Sequence, residues 1–422
     1  MRYQDMTAEE IQKEYLFVKQ AYEDYKALGL NLNIARGKPG KEQLDLVSGI
    51  LMVLADPKDC VTDGIDVRNY GELTGIPAAK RYFADILGCK IEECFIGGNA
   101  SLTLMYDTIT KGMTHGLLHS PRPWCFEESL KWLCPVPGYD RHFAITESFG
   151  FEMITVPMTE NGPDMDLVEE LVKDPAVKGI WCVPKYSNPD GIIYSDETIR
   201  RLAEMETAAP DFTMMWDNAY CVHELEGEFV PFDDILSLCR EAGHPDRVFE
   251  FASTSKITFP GAGISVAAAS VANQEYMMSL ATVQAISHDK VNQLRHVRFL
   301  KDKATTVALM KKHAALLKPK FDCVFEILDR EIAPLGIASW NHPKGGYFIS
   351  LNTAPGLAAR TWQLLKEAGV TMTKAGATYP YGKDPEDSNI RIAPSMPPVE
   401  ELRQAMEGFC ICLKLAALEK RV

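Results

Sequence analysis

The chain has 422 residues, 46% of them hydrophobic and 24% charged, the composition of an ordinary globular protein. Its formal net charge is −14 and its Lys and Arg form no cluster, which argues against nucleic acid or an anionic membrane surface as a partner. No stretch of about eighteen apolar residues predicts a membrane span, and the opening residues, Met1-Arg2-Tyr3-Gln4-Asp5-Met6, lack the apolar core of a signal peptide.

Two domains are expected, because a chain of this length exceeds what one compact core serves. Eleven cysteines at irregular spacings, with no Cys-x-x-Cys pair, indicate a reduced, cytoplasmic setting rather than a disulfide framework. Cys410 and Cys412 fall on the apolar face of a helical pattern. His115 and His119 are spaced to share a helix face, but no adjacent acidic residue completes a ligand set, so no metal is expected.

Thr7 to Leu28 is predicted as a helix, opened by Thr7 with Glu9 and Glu10 and stopped by Gly29. A short strand from Leu30 breaks into Arg36-Gly37-Lys38-Pro39-Gly40, which reads either as an anion-binding turn or as a turn with solvated charges. The glycine-rich loop Asp66 to Pro77 precedes a helix over Ala78 to Leu87. Cys94-Phe95-Ile96 is a brief strand, followed by Gly97-Gly98-Asn99-Ala100-Ser101 and a helical pattern from Leu102 to Thr110. Strand, glycine pair and helix start together make an anion-binding N-terminus, with free amides and the helix dipole aimed at a phosphate. No Gly-Lys-Ser/Thr follows, so it is not a Walker loop.

Strand and helix signals continue to alternate. Leu117 to Pro121 precedes a helix expected to reach about Leu133. Ile154 to Pro157 is a strand, Asp166 to Lys173 a helix, and Gly179 to Pro184 a strand ending in Lys185-Tyr186-Ser187-Asn188-Pro189-Asp190-Gly191. Ser195 caps a helix to about Ala208, and Thr213 to Trp216 is a strand ending in Asp217-Asn218-Ala219-Tyr220. Arg247 to Phe251 runs, as a strand, into Ala252-Ser253-Thr254-Ser255-Lys256. Repeated β-α-β units with apolar strands predict an α/β fold, a mostly parallel sheet between helices.

Ligands in such sheets gather at the carboxyl ends of the strands. Asn99, Asn188, Asp217 and Lys256 each follow an apolar strand, which predicts a shared site. Lys256, crowded by small side chains, is poorly solvated. Burial disfavours the ammonium form, and the free amine is a nucleophile able to form a Schiff base. Beyond it, Asn273 to Leu328 reads as long helices. Trp340, a Gly345–Leu351 strand, a helix over Ala358 to Ala368, Val370 to Thr373, a Ser388–Ala393 strand carrying Arg391, and a last helix from Val399 to Leu418 read as a smaller α+β set.

A strand-end lysine, an aspartate, an Asn-Pro-x-Gly asparagine, a tyrosine three residues past the aspartate and a phosphate cup, in this order, resemble the fold-type-I pyridoxal-phosphate enzymes, specifically the class I aminotransferases. The resemblance covers Asn31 to Pro397. Arg36-Gly37-Lys38-Pro39, Gly97-Gly98-Asn99-Ala100-Ser101 and Ser253-Thr254-Ser255-Lys256 look most like the bacterial aspartate aminotransferase subgroup Ic. It implies a large domain over residues 46–304 with a seven-stranded-type sheet, and a smaller domain from 305–422 joined by residues 1–45. It implies pyridoxal 5'-phosphate joined to Lys256, which also moves the substrate proton, with Asp217 on the pyridine nitrogen. Asn188 and Tyr220 are then on the ring phenolate oxygen, Tyr139 stacks on the ring, and Gly98, Asn99, Ala100, Ser101, Ser253 and Ser255 surround the phosphate. Tyr70 matches a tyrosine that reaches the phosphate from the other subunit, implying a homodimer. Arg391 matches the grip on the substrate α-carboxylate, near Asn188 and Gly37.

Most class I members carry an arginine on the phosphate eight residues after the lysine; that position here is Ile264, and Arg68 is the candidate replacement. Arg36, Lys38 and Arg295 are alternative ligands for a distal carboxylate. The implied reaction is transamination of L-aspartate with 2-oxoglutarate. An aminotransferase for aromatic or neutral amino acids, or a β-lyase, shares the cofactor, and a non-catalytic sensing module shares the fold.

Overall fold

Seven strands and a two-residue eighth form the central sheet of the computed structural model, which describes residues 2–422. Their order is Cys94–Ile96, Ser265–Ala269, Val248–Ser253, Thr213–Asp217, Val177–Cys182, Lys131–Val136, Glu152–Thr159 and Gly162–Pro163. The five strands from Val248–Ser253 to Glu152–Thr159 pair in parallel, and Ser265–Ala269 is antiparallel to both its neighbours. Val177–Cys182 and Thr213–Asp217 are buried at every position, as befits strands covered on both faces.

The predicted helix running to Leu133 does not form. Only a short turn of 3-10 helix occurs at Trp124–Phe126, and Lys131–Val136 is a strand. Prolines at 121, 123, 135 and 137 remove amide donors and push their predecessors out of the α region. Trp132, Leu133 and Cys134 are instead buried on both faces of the sheet. A helix that the sequence reading did not place, Asp140–Ser148, follows this strand. The helix after the glycine pair stops at Thr114, so His115 and His119 share no helix face; His119 Nε2 lies 2.8 Å from Asp246 Oδ2.

Both ends of the chain enter one apolar core. The helix Ala8–Ala27, with Thr7 and Glu10 closing a reciprocal capping box, packs on the last helix, Val399–Glu419. Gly408 permits this approach: a Cβ there would stand 2.1 Å from Tyr25 Cζ, whose hydroxyl donates to the Gln404 carbonyl at 2.9 Å. Leu32–Asn33 pairs in parallel with Val370–Thr371, and Ala338–Trp340, Ile349–Thr353 and Asn389–Ile392 form an antiparallel sheet on the same core. Among the described residues no helix is long and apolar enough to cross a membrane.

Candidate active site

The carboxyl ends of the parallel strands open on one cavity. Ser101, Tyr139, Asn188, Asp217, Tyr220 and Lys256 line it, and Gly37 and Phe348 close it from the side of the terminal core. Gly37 is small by necessity, because a Cβ on it would come within 2.5 Å of the Phe348 ring.

Lys256 leaves the end of Val248–Ser253 with its stem partly accessible and its amine enclosed. Burial pushes its pKa below the ordinary lysine value, against the opposing pull of Asp217. Its Nζ stands 4.8 Å from the centroid of the Tyr220 ring. Burial raises the Tyr220 phenol well above its usual value, and pushes Tyr139 up to about 12, so both rings stay protonated donors at neutral pH.

Asp217 is 3% exposed. Its Oδ2 accepts from His142 Nε2 at 3.0 Å, while its Oδ1 is buried with no partner among the described residues. His142 is held flat against Trp181, with ring centroids 4.3 Å apart and planes 10° from parallel. A buried carboxylate oxygen without a donor is costly, and marks a place kept for one. His142 was not among the expected site residues; its signal is its position three residues past Tyr139, one turn into the unplaced helix Asp140–Ser148.

The cup is tied together by short polar side chains. Ser253 Oγ donates to Ser255 Oγ at 3.0 Å, Ser255 Oγ to the Asn99 carbonyl at 3.1 Å, and Ser265 Oγ to the Gly98 carbonyl at 2.8 Å. The helix Ser101–Thr114 starts here after Ala100, which offers no side-chain cap, so its first amides remain available to an anion. Ile264 adds no polar group to this cup. It is 1% exposed in the sheet core, its amide bonded to Thr254 Oγ1. Arg68 Nε and Nη2 grip Asp66 at 2.8 and 2.5 Å, in an exposed pair.

Arg391 lies in a strand buried at every position and paired with Ser350. Its Nη1 donates to Asp140 Oδ1 at 2.9 Å and to Asn188 Oδ1 at 3.2 Å, and its guanidinium carbon is 4.8 Å from the Phe348 ring centroid. The structure thus brings Asn188 and Arg391 together with the cavity. It leaves Arg36 and Lys38 exposed and outside the lining. Arg295 binds Asn292, whose amide braces the loop after Lys256 at the Ala262 and Gly263 carbonyls. Tyr70, 81% exposed, is also outside the lining.

Behind Asp217, Glu250 is buried and its Oε1 accepts from Asn218 Nδ2 at 2.9 Å. Burial lifts its pKa to about 8. In the unfolded chain a glutamate titrates near ~4.3, so the folded form binds the extra proton between these limits. Its stabilising contribution is full below pH ~4.3 and is lost as the pH rises to about 8. Glu250→Gln keeps the acceptor and removes the titration. Relative to wild type it is expected to gain ~4 kcal/mol between pH 4.5 and 8.5, read from urea midpoints; a pH-independent difference would refute this.

The description "Aspartate amino-transferase" belongs to the family model that matches residues 6–422. An aspartate aminotransferase of Corynebacterium glutamicum is 50% identical over 416 residues, 99% of this chain and 96% of the relative. The crystal structure of an aspartate transaminase from Corynebacterium glutamicum matches over 100% of both chains, with a TM-score of 0.97 and 49% identity. An α-aminoadipate aminotransferase of Thermus thermophilus shares the fold at a TM-score of 0.74 and 20% identity, over 93% of this chain and 94% of that one. The chain therefore belongs to the aspartate aminotransferase family, and is an aminotransferase of fold type I.

Proposed function

We propose that the protein transfers the amino group of L-aspartate to 2-oxoglutarate, yielding oxaloacetate and L-glutamate, with pyridoxal 5'-phosphate held at Lys256. The observation that carries this reading is the meeting of Lys256, Asp217, Asn188 and Tyr220 in one cavity, with Arg391 bonded to Asn188 at its edge. The residues fit the cofactor. Asp217 Oδ1 is an unmet buried acceptor suited to a ring N–H, and the uncapped start of Ser101–Thr114 beside Ser253 and Ser255 suits a phosphate. When bound, the cofactor supplies a carbonyl that joins Lys256 and a ring that takes up electrons from the substrate.

The chain's own residues do the rest. Lys256 Nζ, held towards its neutral form by burial, takes and returns the substrate Cα proton. Asp217, aimed by His142, keeps a proton on the ring nitrogen. Tyr220 and Asn188 donate to the ring oxygen, and Tyr139 offers a face for stacking. Gly98, Asn99, Ala100, Ser101, Ser253 and Ser255 hold the phosphate. Arg391 grips the α-carboxylate beside Asn188 and Gly37. Arg36 and Lys38 are exposed and unpaired among the described residues, which leaves them free for a second carboxylate. Assembly as a homodimer, with Tyr70 reaching the other copy's phosphate, belongs to the same reading. It is supported by the exposure of Tyr70 at 81%, Met52 at 73%, Val283 at 91% and Ile286 at 65%. So does division into a large domain over 46–304 and a small one from 1–45 with 305–422, supported by an apolar cluster drawn mainly from residues 3–34 and 317–418.

A donor panel tests the substrate. L-aspartate is expected to exceed L-alanine, L-tyrosine and L-kynurenine in kcat/KM by at least about tenfold, because a cation set aside for a second carboxylate is left unpaired by uncharged donors. A preference for any uncharged donor would replace the aspartate reading with an aromatic or neutral one.

A further inference from the structure

We propose, resting on the assignment of Arg391 to the substrate α-carboxylate, that Asp140 is an internal substitute for that carboxylate. It holds Arg391 in the ligand-free protein and is displaced when substrate enters.

The guanidinium of Arg391 is permanently charged and its side chain is 6% exposed. A buried cation without a counterion is strongly disfavoured. Among the described residues, Asp140 is its one salt-bridge partner; its other neighbours, Asn188, Thr373 and the Phe348 ring, are neutral. Arg391 is therefore neutralised from within the chain, by a group with the same chemistry as the proposed ligand.

The position of the contact makes the two carboxylates competitors. Nη1 has two N–H groups, and Asp140 and Asn188 take both. Nε is buried with no partner among the described residues, and Nη2 reaches only Thr373 Oγ1, at 3.5 Å. An incoming carboxylate therefore meets a guanidinium whose Nη1 is already held by Asp140 and Asn188. Both anions on one fork would stand within a few ångströms of each other in a partly desolvated site, where like charges repel strongly.

Which partner moves follows from the asymmetry of burial. Arg391 is fixed in the strand Asn389–Ile392, whereas Asp140 is the first residue of the helix Asp140–Ser148 with its side chain 33% exposed. Turned out to water, Asp140 still sits in a first helical turn, where negative charge is favourable. The exchange also selects its ligand, since only an anion can repay Arg391 for the loss of Asp140.

The test compares wild-type holoenzyme with Asp140→Asn, Asp140→Ala and Arg391→Lys, reading the inhibition constant of succinate and KM for L-aspartate. Both constants are expected to fall about tenfold in each Asp140 variant, because the competitor is gone. Damage to the fold does not tighten succinate, so the direction separates this role from a structural one. Constants that rise or stay within twofold, while Arg391→Lys raises them, overturn the proposal and make Asp140 a permanent brace or a bystander. If Arg391→Lys leaves both constants unmoved, the α-carboxylate assignment fails, and the proposal falls with it.

Discussion

Lys256→Ala is expected to lower turnover by at least about four powers of ten, measured as the initial rate of oxaloacetate formation from L-aspartate. Positioned general-base catalysis alone is worth roughly 10²–10⁴, and the same amine is the proposed covalent anchor, so two functions disappear with one side chain. The enclosure of Nζ explains why no neighbour substitutes: the carboxylate that acts on it most, Asp217, is already engaged by His142. Borohydride reduction of the holoenzyme should add the cofactor's mass less one oxygen, lost as water when the Schiff base forms, to the wild-type chain and nothing to the variant. Stability should move the other way. The buried amine is a desolvated cation, and its removal is expected to leave the cofactor-free protein at least as resistant to urea as the wild type. Undiminished turnover in the variant would dismiss Lys256 from the mechanism.

The second large effect is expected at Asp217→Asn, a loss of at least about a hundredfold in kcat. The substitution is nearly isosteric, and the amide carbonyl can still accept from His142, so the strand end and the His142–Trp181 stack should survive. What is lost is the negative charge. A charge-assisted hydrogen bond in a desolvated site is worth about 1.5–3 kcal/mol, and about 2.7 kcal/mol corresponds to a hundredfold in rate. The unpartnered Oδ1 is the structural reason for locating that energy here rather than at Oδ2. An unchanged urea midpoint with a lowered kcat at saturating aspartate would establish the role. Equal kcat values would show that the ring nitrogen does not depend on this carboxylate.

Much of the fold is legible in local pattern. Apolar runs ended by Asn99, Asn188, Asp217 and Lys256 are strands whose carboxyl ends meet, and a β-α-β chain has few other ways to arrange them. Other segments escape such reading. Residues 131–136 form a short apolar run, which periodicity alone does not divide between helix and strand. Ser265–Ala269 has no β-branched or aromatic signature beyond Val266. It is a strand because it pairs on both sides, Ala267 lying in register between Phe251 and Phe95.

By itself, then, the sequence determined the type of chemistry. A lysine amine, a carboxylate and a phosphate cup have reactivities set by their covalent structure, and their order along strand ends is written locally. Tertiary structure alone decided which of the charges are available. Arg68 is paired with Asp66, and the Ile264 side chain lies in the sheet core. His142 stands behind Asp217 from 75 positions away, and Asp140 meets Arg391 across 251. Availability of a charge depends on what neutralises it, and partners so far apart in the chain leave no local pattern to read.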